Sequence, residues 1–304
     1  MKLLLTGASG FIGKEVTKLC VKSKLHVFAL TRSYIEGCEH KVIPQLKDAK
    51  AEDMKGYDAI IHLAGIAHTK GVTANDYYKY NTELTIHLAR MAAKANVKRF
   101  VFISTIGVNG KSSKGGPFCN SDSAEPHNDY AKSKLEAELG LKKVSLETGL
   151  EVVIIRPTLV YGASAPGNFG LLKKLVSVLP ILPFGLINNK RSFIFIKNLA
   201  DLILLCTHHS KAAGETFLAS DGRPVSIKHF TNELAKGLNK TSYQLPIPTS
   251  LMLLIGKITR KSEMVGQLVD DLEVDSSNTT KLLDWKPPYS LNQAMSYINR
   301  DIHD

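Results

Sequence analysis

Residues 3–13 read Leu3-Leu4-Leu5-Thr6-Gly7-Ala8-Ser9-Gly10-Phe11-Ile12-Gly13. An apolar run short enough to be a buried strand ends in three glycines spaced three apart, and a helical pattern begins at once. Glycine is needed at such a turn because the backbone must bend sharply and approach a pyrophosphate with no side chain between. The helix start beyond it offers unpaired N–H groups and a partial positive charge to the same phosphates. The spacing, Gly-x-x-Gly-x-x-Gly, is not the commoner Gly-x-Gly-x-x-Gly, and by itself it also suits a plain strand–helix turn. Its place in the first strand of an alternating strand–helix chain points to a bound dinucleotide.

Outward from this stretch, periodicity predicts a helix over 11–21, a strand over 26–30, a short strand near 41–43 and a fourth strand over 58–63. A helix over 76–96, a fifth strand over 99–104, a polar glycine-rich loop over 109–128, a helix over 130–148 and a sixth strand over 151–155 follow. Short apolar strands alternating with helices imply an α/β fold, a Rossmann-type doubly wound parallel sheet with ligands at the carboxyl ends of its strands. Beyond Arg156-Pro157 the rhythm loosens, with one more strand and helix expected over 193–196 and 199–207. The remainder reads as a smaller, mostly helical C-terminal substrate domain. The expected division is 1–160 with 191–220 for the dinucleotide, and 161–190 with 221–304 for the substrate.

The 304 residues are 44% hydrophobic and carry a net charge of +11, which asks for an anionic partner. The lysines are scattered, with no basic block interleaved with aromatics, so nucleic acid is the weakest candidate. A solvated lysine-rich surface accounts for most of the charge. Cys20, Cys38, Cys119 and Cys206 show neither a Cys-x-x-Cys pair nor metal-ligand spacing, so no metal is expected and a reducing cytoplasm fits. Cys20 and Cys206 lie in apolar helical patterns and read as core. Residue 1 leads straight into the first strand, which predicts no signal peptide. No apolar run approaches the ~20 residues of a membrane span. Residues 248–261 (PTSLMLLIGKITRK) are apolar with a basic end. Ordinary packing is the first expectation for them; a weak membrane-surface contact or a lipid-linked substrate is the other.

Tyr130-Ala131-Lys132-Ser133-Lys134 opens the helix after the fifth strand, so Tyr130 and Lys134 share one face at i and i+4. A phenol with an ordinary pKa of ~10 is a poor base at neutral pH. A neighbouring ammonium and an oxidised nicotinamide both favour the phenolate, which can then accept or return the proton of a carbinol. A surface tyrosine stacked on a lysine stem fits the same spacing. Ser104-Thr105 closes the fifth strand, where Thr105 either hydrogen-bonds the reacting oxygen or merely caps the strand end.

The combined pattern resembles the extended short-chain dehydrogenase/reductases of the nucleotide-sugar epimerase/dehydratase family, over essentially the whole chain. The matching pieces are Thr6-Gly7-x-x-Gly10-x-x-Gly13, His62-Leu63-Ala64-Gly65, Asn81, Ser104-Thr105, Val108-Asn109-Gly110, Tyr130-x-x-x-Lys134, Arg156-Pro157 and Tyr161-Gly162. Arg191 with the segment to Asp201, and Leu283-Asp284-Trp285-Lys286-Pro287, match its second half. The resemblance implies a catalytic triad of Thr105, Tyr130 and Lys134. It implies a pyrophosphate held at Gly7, Gly10, Phe11, Ile12 and Gly13, and a groove lined by Ala64 and Asn81. Pro157 and Val160 would lie near the nicotinamide, and Asn168 and Arg191 would meet the diphosphate of a UDP-sugar. A guanidinium suits a diphosphate; a structural salt bridge is the alternative for Arg191. A homodimer is a further implication of the family.

The chain departs from the family in three places. The second strand ends in Leu30-Thr31-Arg32-Ser33, without the acid that would hold the ribose of NAD, so Arg32 reads as a partner for a 2′-phosphate. NADP(H) is therefore favoured over NAD(H). Gln45 falls where the family often has an Asp near the adenine. Ile106-Gly107 replace the Asp-Glu acid–base pair of the dehydratases, which disfavours 4,6-dehydration. The expected activity is hydride transfer at C4 of a nucleotide-linked hexose, leaning to a 4-keto-sugar reductase. The alternatives are a UDP-glucose or UDP-N-acetylglucosamine 4-epimerase and, remotely, a non-catalytic dinucleotide sensor.

Overall fold

The computed structural model describes residues 1–67, 71–113 and 115–299. Its first half runs β1 (Lys2–Thr6), α1 (Phe11–Lys22), β2 (His26–Thr31), β3 (Glu39–Val42), β4 (Ala59–His62), α2 (Ala74–Tyr77), α3 (Leu84–Lys94), β5 (Arg99–Ile103), α4 (Asp129–Thr148) and β6 (Glu151–Pro157). It continues through β7 (Leu159–Tyr161), α5 (Gly167–Val178), β8 (Ile181–Leu182), β9 (Phe193–Phe195), α6 (Ile196–Cys206), β10 (Thr216–Ala219), α7 (Ile227–Gly237) and β11 (Tyr243–Gln244). The C-terminal part is helical: α8 (Thr249–Ile258), α9 (Ser262–Val269), α10 (Ser277–Leu283) and α11 (Leu291–Ser296).

Seven strands form one parallel sheet in the order β10-β6-β5-β4-β1-β2-β3. The alternation along β1 explains why helices cover both faces. Leu3 and Leu5 pack towards α1 and α6 with Val16, Leu199 and Leu202, and with the buried thiols of Cys20 and Cys206. Leu4 faces the other way, onto Leu88 of α3 and Ala137 and Leu141 of α4. A separate aromatic core, built on Tyr161, Phe169, Phe193, Phe195 and Phe230, holds the C-terminal part together, with Phe193 and Phe230 stacked at 3.9 Å. Ile12 and Val160 pack against both this core and the sheet.

The chain passes from β1 to β2 and β3 on one side, then returns to place β4 on the other. The strand order therefore reverses between β1 and β4, and a crevice opens at their carboxyl ends, where Gly7 and Ala64 lie.

The structure refines three expectations. The strand over 193–196 is present as β9, paired with β7, while the seventh central strand is β10, which the periodicity does not predict. β10 is only four residues, between glycines at positive φ (Gly214, +81°; Gly222, +85°), too short for a periodicity to declare it. The helix over 76–96 starts earlier, at Ala74, and contains a π-helical turn over Tyr78–Glu83. Residues 248–261 pack on the core through Met252 and Gly256 of α8, with the rest of that helix's apolar side chains exposed.

Candidate active site

Gly7 adopts φ +79°, and a Cβ there would sit 2.6 Å from the Ala64 nitrogen, so β1 and β4 can approach only with glycine at this turn. A Cβ on Gly13 would sit 2.1 Å from the Gly7 carbonyl, which fixes helix against loop. Gly10 donates its N–H to the Gly7 oxygen (3.0 Å) and caps α1 with no side-chain partner and no acid in the first turn. The N–H groups of Phe11, Ile12 and Gly13 thus begin α1 as an uncapped positive end. A crevice at the strand reversal with a glycine turn under an uncapped helix start fits the diphosphate of a dinucleotide.

Asn81 is fully buried and closes the groove from the π-helical turn. Its Oδ1 accepts from the Ile66 N–H (2.8 Å), and its Nδ2 donates to the Ile66 carbonyl (3.1 Å) and to Ser133 Oγ (3.1 Å). The π turn gives the extra residue that brings this amide round to the strand end. Beneath it His62 of β4 bridges Thr6 of β1 and Thr85 of α3. Thr85 Oγ1 donates to the Asn81 carbonyl (2.6 Å), so it accepts from His62 Nε2 (3.0 Å), and His62 Nδ1 accepts from Thr6 Oγ1 (2.7 Å). Burial, with the charge of Lys134 nearby, holds this imidazole neutral and its pKa at about 3.

At the end of β2 the Thr31 hydroxyl is spent on Ser33, donating to its carbonyl (2.8 Å) and accepting from its N–H (3.3 Å). Arg32 is exposed and makes no ion pair with a described residue. Gln45 is also exposed, in the bend after β3.

Tyr130 and Lys134 stand in the first turns of α4, whose start is set by Asn128 accepting from the Ala131 N–H (2.8 Å). Lys134 is buried: Nζ donates to the Ile103 carbonyl (2.9 Å) and lies 4.6 Å from the centre of the Phe102 ring. A Cβ on Gly65 would lie 3.5 Å from that Nζ and 2.9 Å from Asn81 Oδ1, so the strand ends of β4 and β5 and the start of α4 meet here. Tyr130 is half-buried with the Tyr77 ring 5.9 Å away. Burial, then the neighbouring phenol, push its pKa up to about 12, while burial draws Lys134 down to about 8 despite Glu138. The pair alone therefore leaves the phenol protonated; the phenolate needs further positive charge beside it.

Thr105 accepts from the Gly107 N–H (3.1 Å), capping the short turn Ile106–Val108. The capping role is real, and it occupies an oxygen lone pair while leaving the hydroxyl proton able to donate. That turn holds Ile106 and Gly107, both buried, where an acid–base pair would stand.

A buried polar network lies beside Lys134 and the end of β5. Arg156 on β6 donates from Nε and Nη2 to Glu138 of α4 (3.0 and 2.6 Å) and from Nη1 to Asn109 Oδ1 (2.9 Å). Ser104 donates to the same Glu138 carboxylate. Helix, two strand ends and the following loop are thereby held in register.

The anion-binding candidates, Arg191 and Asn168, are both tied to the end of α9. Arg191 is 8% exposed, and its Nη1 donates to the Asp270 carbonyl (2.8 Å). It forms no ion pair with a described residue, and burial lowers its pKa to about 10. The nearby carboxylates of Asp270 and Asp271 act against that lowering, and among the described residues the Asp270 carbonyl is the Arg191 side chain's hydrogen-bond partner. Asn168, exposed at the start of α5, donates to Gln267 Oε1 (2.7 Å) on α9, so one segment, 267–270, ties both residues together. A cavity of about 390 Å³, lined by Asn109, Phe118, Glu125, His127 and Asp270 among others, joins this segment to the loop after β5. Pro157 closes β6, and Val160 lies in β7, packed against both the sheet core and the aromatic core.

Residues 3–219 match the family model described as the NAD dependent epimerase/dehydratase family. The chain belongs to that family. A UDP-glucose 4-epimerase of Vibrio cholerae is 40% identical over 304 aligned residues, covering 96% of this chain and 92% of that protein. An N-acetyl-alpha-D-glucosaminyl-diphospho-ditrans,octacis-undecaprenol 4-epimerase of Escherichia coli is 26% identical, with the same 96% and 92% coverage. The crystal structure of a UDP-N-acetylglucosamine 4-epimerase from Bacillus cereus superposes with a TM-score of 0.81 over 100% of both chains at 21% identity.

The glycine turn packs on Ala64, and the next residue, Gly65, lies beside Lys134 of the Tyr130 helix. Four neighbours of the site escaped the sequence: Tyr77, His127, Ser133 and Glu138. Glu138 has a legible signal, a carboxylate four residues beyond Lys134 on a stripe that continues into Ala137 and Leu141. His127 has none, because it reaches the cavity from an irregular loop.

Proposed function

We propose that this chain is a nucleotide-sugar 4-epimerase acting on a UDP-linked hexose or N-acetylhexosamine. The reading is supported by Lys134, four residues beyond Tyr130 on α4, lying beside Gly65 next to the Ala64 on which the Gly7 turn packs, in a chain whose 40% identical relative carries the name UDP-glucose 4-epimerase. Residues 1–160 with 191–220 would hold the dinucleotide at Gly7, Gly10, Phe11, Ile12, Gly13, Ala64, Asn81, Pro157 and Val160. Residues 161–190 and 221–304 would hold the sugar nucleotide.

An oxidised dinucleotide held at the glycine turn would supply a hydride acceptor for C4 of the sugar. Its positive charge would act with the Lys134 ammonium and the positive end of α4 to favour the Tyr130 phenolate, against the burial that pushes its pKa up to about 12. Tyr130 then takes the proton of the C4 hydroxyl and later returns it, and Thr105 donates a hydrogen bond to the same oxygen. Arg191 and Asn168 keep the diphosphate in place while the keto sugar presents its other face. With no acid–base pair at Ile106-Gly107, the intermediate is not dehydrated.

A second reading, a 4-keto-sugar reductase using NADPH, draws on Arg32. This guanidinium stands exposed where β2 ends without an acid, as a 2′-phosphate would require. Incubating the protein with UDP-glucose and UDP-N-acetylglucosamine without added cofactor, and with a UDP-4-keto-6-deoxy sugar plus NADPH, separates the two. Cofactor-free formation of the C4 epimer supports the epimerase. Turnover of the keto sugar alone, with NADPH bound far more tightly than NADH, would replace it by the reductase.

A further inference from the structure

We infer that the outer face of α8 docks on an anionic lipid bilayer surface. Leu251, Leu254, Ile255 and Ile258 recur at i, i+3, i+4 and i+7, the spacing by which a surface helix normally turns one apolar stripe to the core. Here the stripe points the other way. Those side chains are 44%, 52%, 50% and 73% exposed, while the face turned inwards is the narrow pair Met252 and Gly256. Gly256 lets Val265 of α9 approach, since a Cβ there would lie 2.9 Å from Val265 Cγ2, so α8 is pinned through its back. Met264 on α9, 44% exposed, adds to the apolar surface. An unbroken patch of this kind on a soluble surface marks an interaction site.

The charge beside the stripe selects the partner. Lys257, Arg260 and Lys261 follow within one turn of its end, all exposed, and none pairs with a carboxylate of a described residue. An apolar stripe about ten residues long with basic residues at its end matches the acyl boundary and the anionic headgroups of a bilayer. The chain's net charge of +11 reinforces that match and works against a second copy of the same surface. No described helix is long and apolar enough to cross a membrane, so the contact is peripheral. α8 leads through α9 to Asp270, whose carbonyl holds Arg191, so docking would place the candidate anion site near the bilayer.

The test needs no substrate and so stands apart from the epimerase reading. The full chain is pelleted with phosphatidylcholine vesicles and with vesicles containing about one third phosphatidylglycerol, at ~0.1 M salt. Wild type should pellet with the anionic vesicles at least ~10-fold better than with the neutral ones and be released by high salt. Leu254→Ser/Ile258→Ser and, separately, Lys257→Gln/Arg260→Gln/Lys261→Gln should each lose that binding, with unchanged circular dichroism and melting temperature. Wild type left in the supernatant would overturn the inference. So would stripe variants that pellet like wild type, or an oligomer that the stripe variants dissociate without any vesicle binding, which would give the face to a second copy.

Discussion

Glu138→Leu isolates the buried Glu138–Arg156 ion pair. In the folded protein Glu138 is 1% and Arg156 7% exposed, and the carboxylate also accepts from Ser104. Removing it leaves a buried guanidinium whose remaining bond is to Asn109 Oδ1. Breaking a buried pair from one side costs about 3–5 kcal/mol, because the surviving charge is uncompensated. For a chain of 304 residues, an unfolding entropy of about 2.1 cal/mol/K per residue turns that loss into a drop of about 5–8 °C in Tm. Replacing both partners, Glu138→Leu with Arg156→Met, removes the uncompensated charge and should recover most of the loss, since apolar replacements of buried pairs are often neutral or better. The assay is urea and thermal unfolding of wild type, both single variants and the double. A Glu138→Leu loss below about 1 kcal/mol, or a double variant no more stable than the singles, would refute the reasoning.

Tyr130→Phe should lower turnover at least ~10²-fold with dinucleotide affinity nearly unchanged, as read by steady-state kinetics and fluorescence titration. Arg191→Ala should raise KM for a UDP-sugar by a decade or more, from a charge-assisted contact of about 1.5–3 kcal/mol, with kcat affected less; an unchanged KM would make Arg191 structural. His62 predicts a pH effect on stability. Its folded pKa of about 3 lies below the ordinary value, so the unfolded chain binds more protons across that window and stability falls as pH falls below about 6.5. Between pH 7.5 and 5 this amounts to about 2 kcal/mol, which His62→Gln should abolish in denaturation curves at the two pH values.

Much of the fold is legible because glycine and apolar strands are local signals. Gly7 and Gly13 are forced by approaches under 3 Å, and β1, β4 and β5 are buried runs with few other readings. Tyr130 and Lys134 follow from helical spacing. What could not be read depends on chain segments distant in sequence. β10 is a strand because β6 lies beside it, and β9 leaves the central sheet because β7 supplies its partner. Arg191 gains its environment from Asp270, seventy-nine positions away, and His127 reaches the cavity through a loop without periodicity. The outward stripe of α8 has the same spacing as an inward one, so exposure alone distinguishes them.

The protonation of Tyr130 also lay beyond the sequence. The i, i+4 lysine suggests a phenolate, whereas burial of both groups moves their pKa values towards the neutral forms, to about 12 and about 8. On the proposed reading, activation of the phenol would depend on charge brought by the ligand.

The central claim is hydrogen transfer out of and back to C4 within one turnover. It is tested most directly with UDP-glucose deuterated at C4, the purified protein, and no added reductant. The account predicts UDP-galactose whose C4 retains the deuterium, in wild type and at a much lower rate in Tyr130→Phe. A product that has lost the label, or no C4 epimer from either UDP-glucose or UDP-N-acetylglucosamine, would contradict it.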